Sequence, residues 1–208
     1  MKRWLVVLWV CGASGALAEG QGWSAVGGRT VPVRATALTV EAGWPGVDVG
    51  WVHGVAPGVN LGLRAGLVYG LQGLLTSVVP GLEVRGLLKV RLLDLEVVSL
   101  ALTFEPGAFF AGQPGSPTRA GRVLPVGLKL GVAASSAVSV AVLLEVPLWL
   151  ELGAGAGWDL PLLSGVGVEY FVSSQLALFA QVRLGPTLRP AATALLTLDA
   201  RLGVAFEF

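Results

Sequence analysis

The last sixteen residues, 193–208, read T-A-L-L-T-L-D-A-R-L-G-V-A-F-E-F. Ala194, Leu196, Leu198, Ala200, Leu202, Val204, Phe206 and Phe208 share one parity, and Thr197, Asp199, Arg201, Gly203 and Glu207 share the other. Alternate residues fall on opposite faces only in a strand, so this stretch predicts a strand with one apolar and one polar side.

The same alternation fills the chain upstream. After a weakly periodic, glycine-containing lead-in at 19–34, strands are expected at 35–43, 47–55, 59–69, 82–92, 98–105, 123–132, 138–151, 162–171 and 176–184. With the terminal strand this makes about ten, eight being the alternative count. Connections after the second, fourth, sixth and eighth strands are short, and those after the third, fifth, seventh and ninth are longer. The first connection is an exception. Residues 106–122 and 152–161, rich in Gly and Pro, are read as loops.

Strand charges keep to the polar parity. The bases are Arg64, Arg85, Lys89, Arg91, Lys129, Arg183 and Arg201; the acids are Glu41, Asp48, Glu83, Glu105, Glu145, Glu151, Glu169, Asp199 and Glu207. Counting back from the turns sets Arg183 beside Asp199, Arg85 diagonal to Glu105, Asp48 within reach of Arg64, and Arg201 near Glu41 if first and last strands meet. Glu83 and Glu105 are expected to face each other near one rim, where they would form an acid pair or cation site unless Arg85 neutralises them.

Composition decides which side the apolar face takes. The chain is 54% hydrophobic and 13% charged, with mean hydropathy +0.75. Soluble domains carry roughly 25% charge, so a soluble barrel or sandwich lacks the charge to coat its outside, and its interior could not hold so much Leu and Val. Helical spans are disfavoured because a charge interrupts every apolar run before it reaches the ~20 residues needed. A transmembrane β-barrel, apolar outward and polar inward, satisfies both constraints, since closure pairs the backbone where water is absent.

Residues 1–18 have the form of a secretory signal peptide: Lys2 and Arg3, an apolar core, then Ala16-Leu17-Ala18. The one cysteine, Cys11, lies within it, so disulfide and thiol chemistry are not expected after cleavage. Cleavage would leave 12 basic against 13 acidic residues, a net charge of −1, which offers nucleic acid no electrostatic attraction.

An export signal, alternating strands and Phe208 preceded at alternate positions by Phe206, Val204 and Leu202 resemble bacterial outer-membrane β-barrel proteins, in particular small barrels of the OmpA membrane domain or OmpX class. The resemblance covers residues 35–208. It implies an outer-membrane location after Sec export, contact with lipid and lipopolysaccharide, a monomer, and a terminal strand (Leu202, Val204, Phe206, Phe208) read by the assembly machinery. Trp44, Tyr69 and Phe104 are expected at outer strand ends, and Tyr170, Phe206 and Phe208 at inner ends, as in aromatic girdles; Trp51 and Phe179 fall outside that scheme.

The expected function is non-enzymatic. Charges facing a narrow lumen are read as an ion-paired plug comprising Glu41, Asp48, Arg64, Glu83, Arg85, Lys89, Arg91, Glu105, Lys129, Glu145, Glu169, Arg183, Asp199 and Arg201. Such a barrel serves envelope integrity, surface interaction or slow solute passage. The alternative is a hydrolase acting at the outer rim on lipid or peptide. Against it, the single histidine, His53, shares the parity of Val47, Val49 and Trp51 and is expected to face lipid. No cofactor or metal motif is recognised. In the 106–122 loop, Phe109, Phe110, Arg119 and Arg122 are candidates for contact with lipopolysaccharide.

Overall fold

A computed structural model describes residues 22–75, 78–112, 118–152, 156–190 and 195–208. The expected signal peptide, with Cys11, lies outside the described residues. Among the described residues twelve strands are present: β1 (Thr36–Trp44), β2 (Gly46–Ala56), β3 (Val59–Val68), β4 (Gly81–Asp94), β5 (Val98–Phe104), β6 (Gly107–Ala111), β7 (Arg119–Ala133), β8 (Val138–Leu152), β9 (Trp158–Pro161), β10 (Leu163–Phe171), β11 (Leu176–Leu188) and β12 (Leu195–Glu207). All pair antiparallel with their neighbours, and β1 pairs with β12, so the sheet closes on itself. Phe208 and Thr36 exchange backbone hydrogen bonds of 2.8 and 2.9 Å at the seam.

Two pairs of strands each make one stave, which gives a barrel of ten. β5 and β6 both lie between β4 and β7. Leu88 opposes Phe104 and Arg85 opposes Gly107, so the register runs unbroken through Glu105-Pro106. In the same way β9 and β10 continue each other between β8 and β11. The breaks fall at Pro106 and just after Pro161, because proline has no N–H to give the ladder.

The stretches 106–122 and 152–161 therefore contain strand where the composition predicts loop. The extension also moves two residues. Phe104 sits within a stave rather than at its outer end, where Phe110 stands, 58% exposed. Glu83 opposes Phe109, not Glu105.

Both described chain ends and the short turns after β2, β4, β7 and β10 lie at one mouth, called here the near end; the longer connections lie at the far end. Outward positions are apolar: on β8 Val140, Val142, Leu144 and Val146 are exposed while Ala141, Leu143 and Glu145 between them are buried. Among the described residues Arg122 is the only charged side chain at an outward strand position, Asp94 lying beyond the bulge that ends β4. The fifteen residues of β8 extend about 46 Å, or about 35 Å along the axis at a strand tilt of about 40°.

Candidate functional site

The candidate site is the lumen, which is filled in three tiers. In the middle, inward side chains from most staves form ion pairs. Arg201 on β12, with 3% of its side chain exposed, contacts Asp48 on β2, Glu41 on β1 at 3.4 Å and Asp199 at 3.1 Å. Arg64 on β3 reaches the same Glu41 at 2.5 Å. Gln181 on β11 donates to the other Glu41 oxygen at 2.9 Å. Arg183 on β11 joins Asp199, at 2.8 Å, to Glu145 on β8. The chain Arg64–Glu41–Arg201–Asp199–Arg183–Glu145 thus links five staves by alternating sign. A separate group holds Arg85 against Glu83 and, at 3.9 Å, Glu105.

Glycines make this crowding possible. Arg183 must cross β10 to reach β8, and the residue beside it there is Gly165. A Cβ on Gly165 would lie 1.9 Å from the Val182 carbonyl oxygen and 2.8 Å from Arg183 Cγ. Gly66 likewise leaves space for Asp48, whose Oδ1 would be 1.7 Å from an added Cβ. Inward strand glycine is therefore set by neighbouring side chains.

The near end is closed by residues 22–33, the irregular stretch ahead of β1. Trp23 is buried, packs edge-on against Phe171 at 5.9 Å and donates to the Ser174 carbonyl at 2.9 Å. The segment is held by Glu169 on β10, 1% exposed. Its carboxylate accepts from the Ser24 hydroxyl and from the amides of Ala25 at 2.7 Å and Val26 at 3.2 Å. Lys89 on β4 donates to the carbonyls of Ser24 at 2.9 Å and Arg29 at 2.6 Å. Val26, Val31, Phe179 and Leu143 complete an apolar packing around it.

The far end is covered by residues 72–74, which follow β3. Gln72, at φ 61°, and Leu74 turn inward, 3% exposed each. Gln72 donates to Glu151 at 3.2 Å and accepts from Arg189 at 3.0 Å. Arg119 pairs with Glu151, and Arg189 pairs with Asp159 at 2.5 Å. Beneath them Phe109 and Trp149, 5.0 Å apart, pack with Val68, Ala111 and Val123, and Arg85 lies 5.9 Å from the Trp149 ring centroid.

A scan of protein-family models finds none that matches this chain, and a search of curated proteins finds no match. Function must therefore be read from the geometry.

The sequence-predicted lumen residues differ in their partners, Glu83 meeting Arg85 and Glu145 meeting Arg183. Arg183 with Asp199, Arg85 with Glu105 and Arg201 with Glu41 come together. Asp48 pairs with Arg201 and not with Arg64, which turns to Glu41. Lys89 and Glu169 bind backbone of the near-end segment, and Arg91 lies at the near rim with Asp94 at 2.5 Å. Lys129 lines a cavity with Asn60, Lys89 and Glu105.

Of the proposed surface residues, Phe109 and Arg119 point inward while Phe110 and Arg122 are exposed. Phe179 is lumenal, and an added Cβ on Gly203 would lie 2.3 Å from its ring. His53 lies on the outward parity, stacked on Trp51 at 6.0 Å, its Nδ1 3.0 Å from the Thr36 hydroxyl. Leu202, Val204, Phe206 and Phe208 are all exposed on one face of β12 and its end. Ser24 and Gln72 carry no signal in the sequence, being polar residues in aperiodic stretches whose partners are distant in the chain.

Proposed function

We propose that this chain is an integral outer-membrane β-barrel with a closed, charge-filled lumen, which serves envelope integrity or surface interaction and passes solute slowly if at all. The outward face carries this reading. Ten staves present apolar side chains, with Arg122 as the one charge at an outward strand position among the described residues, and water does not favour so large an apolar surface. A stave about 35 Å tall exceeds the ~25 Å apolar band of such barrels. Phe110, Tyr69 and Trp158 at the far end, and Tyr170, Phe206 and Phe208 at the near end, are exposed where interfacial girdles belong. Arg122, beside Leu150 and near Phe110, is suited to an anionic lipopolysaccharide headgroup.

The lumen supports structure over transport. Most of its charges are paired across the bore, and both mouths are covered by buried segments. The terminal β12 face fits recognition by the assembly machinery. A rim hydrolase gains no lumenal base from His53. The test is reconstitution of the purified chain in a planar bilayer, with orientation and insertion checked by protease protection. Insertion with no steady conductance supports the closed barrel. Steady channels would require a pore, and failure to partition into vesicles would remove the membrane reading.

A further inference from the structure

Between the near-end segment and the ion-pair tier lies a cavity of about 40 Å³, walled in part by Asn60, Arg64, Lys89, Glu105 and Lys129. This is larger than the roughly 10–15 Å³ that one water needs. Its charge balance is uneven. Arg64 is neutralised by Glu41 at 2.5 Å. Lys89, 4% exposed, uses two of its three protons on the carbonyls of Ser24 and Arg29 and has no carboxylate within 4.0 Å. Lys129 on β7 has no ion-pair or hydrogen-bond partner among the described residues. The one carboxylate in this wall, Glu105, already has Arg85 at 3.9 Å. Two ammonium groups thus share Glu105, with Glu169 acting on Lys89 and Glu145 on Lys129 from beyond ion-pair distance.

The register brings these amines together. Lys89 opposes Thr103, and Lys129 opposes Ala101, on the stave between them. Ala101 is fully buried, and both lysines line the same cavity. An ammonium withdrawn from water without a partner costs several kcal/mol, and of the two amines Lys89 is buried while Lys129 is half-buried. Relief requires loss of the proton or arrival of an anion.

We infer that this cavity binds one small inorganic anion of halide size, held by the free proton of Lys89 and by Lys129 beside Arg64. Lumenal acids are engaged elsewhere, and the space is too small for an organic phosphate or carboxylate ligand. The site does not depend on whether the barrel conducts, because its walls belong to the folded chain itself.

The test compares the purified barrel in detergent micelles in sodium chloride and in sodium gluconate at equal ionic strength. Chloride should raise the unfolding temperature of the wild type in a saturable manner, by roughly 3–6 °C at about ten times the dissociation constant. Lys129→Met should abolish that difference, and Arg91→Gln at the near rim should retain it. Should Lys129→Met not fold, bromide-soaked crystals of the wild type decide, with an anomalous peak expected between Lys89 and Lys129. No chloride effect in the wild type, an equal effect in Lys129→Met, or no bromide peak would each overturn the site.

Discussion

Replacing Arg201 by Met tests whether the ion-pair tier holds the barrel together. Arg201 serves three carboxylates, and the consequences for them differ. Glu41 keeps Arg64 and Gln181, and Asp199 keeps Arg183. Asp48, 5% exposed, loses its one ion pair among the described residues. Breaking one side of a buried pair costs about 3–5 kcal/mol, chiefly by stranding the other charge. At about 2–4 °C per kcal/mol for a chain of this size, the unfolding temperature should fall by roughly 6–20 °C. Guanidinium unfolding in micelles, followed by tryptophan fluorescence and by heat-modifiable gel mobility, measures the loss. Asp48→Asn placed on Arg201→Met should recover part of it, because the stranded charge is then gone; a coupling of about 1–3 kcal/mol is expected. The loss should persist at about 1 M salt, since screening acts mainly on exposed pairs. A loss below about 1 kcal/mol, or no coupling with Asp48→Asn, would refute the account.

Three further outcomes are expected. Leu144, 50% exposed near the middle of β8, should cost about 2–4 kcal/mol on replacement by Arg in lipid vesicles, as lipid-facing arginine does at mid-bilayer; a change within about 0.5 kcal/mol, normal for a wet surface, would contradict the membrane reading. Glu169→Ala removes the acceptor for Ser24, Ala25 and Val26, so residues 22–33 should exchange amide protons faster while the staves remain protected; unchanged exchange there would show that apolar packing alone holds the segment. Phe208→Ala keeps the backbone bonds to Thr36 and removes the exposed ring, so folded barrel should fall in cells while refolding of the purified chain in detergent is unaffected. Equal loss in both settings would assign Phe208 to stability rather than assembly.

Alternation made the staves legible because parity is a property of neighbouring residues. Leu202, Val204, Phe206 and Phe208 fall on one face whatever the rest of the fold does, and hairpin counting was enough to bring Arg183 to Asp199. Asp48 shows where such counting stops. Two arginines lie within its reach, and the choice of Arg201 over Arg64 depends on closure between β1 and β12, which turns alone do not specify. Glu169 and Lys89 were legible as inward charges but not as clamps, since their partners are backbone amides and carbonyls that carry no identity in the sequence.

Proline explains the remaining disagreement. Pro106, Pro125, Pro147 and Pro161 lie at one level across successive staves: Pro125 opposes Pro147, and the pairs Glu145–Leu163 and Trp149–Asp159 bracket Pro147 against Pro161. Proline within a central strand ordinarily argues against strand, because one ladder bond is lost at each position. Here the loss does not end the stave. Gly86 still donates to the Pro106 carbonyl at 2.8 Å, Glu105 to Pro125 at 2.9 Å and Leu162 to Pro186 at 2.9 Å. A proline gives up its donor and keeps its acceptor, so each break has intact pairing above and below it, and the register is preserved. The constraint that a barrel must close then favours continuation over a loop, since ending a stave would expose two new edges in the sheet. Local propensity yields to closure at that level, and the far-end tier containing Phe109 and Trp149 exists because it does.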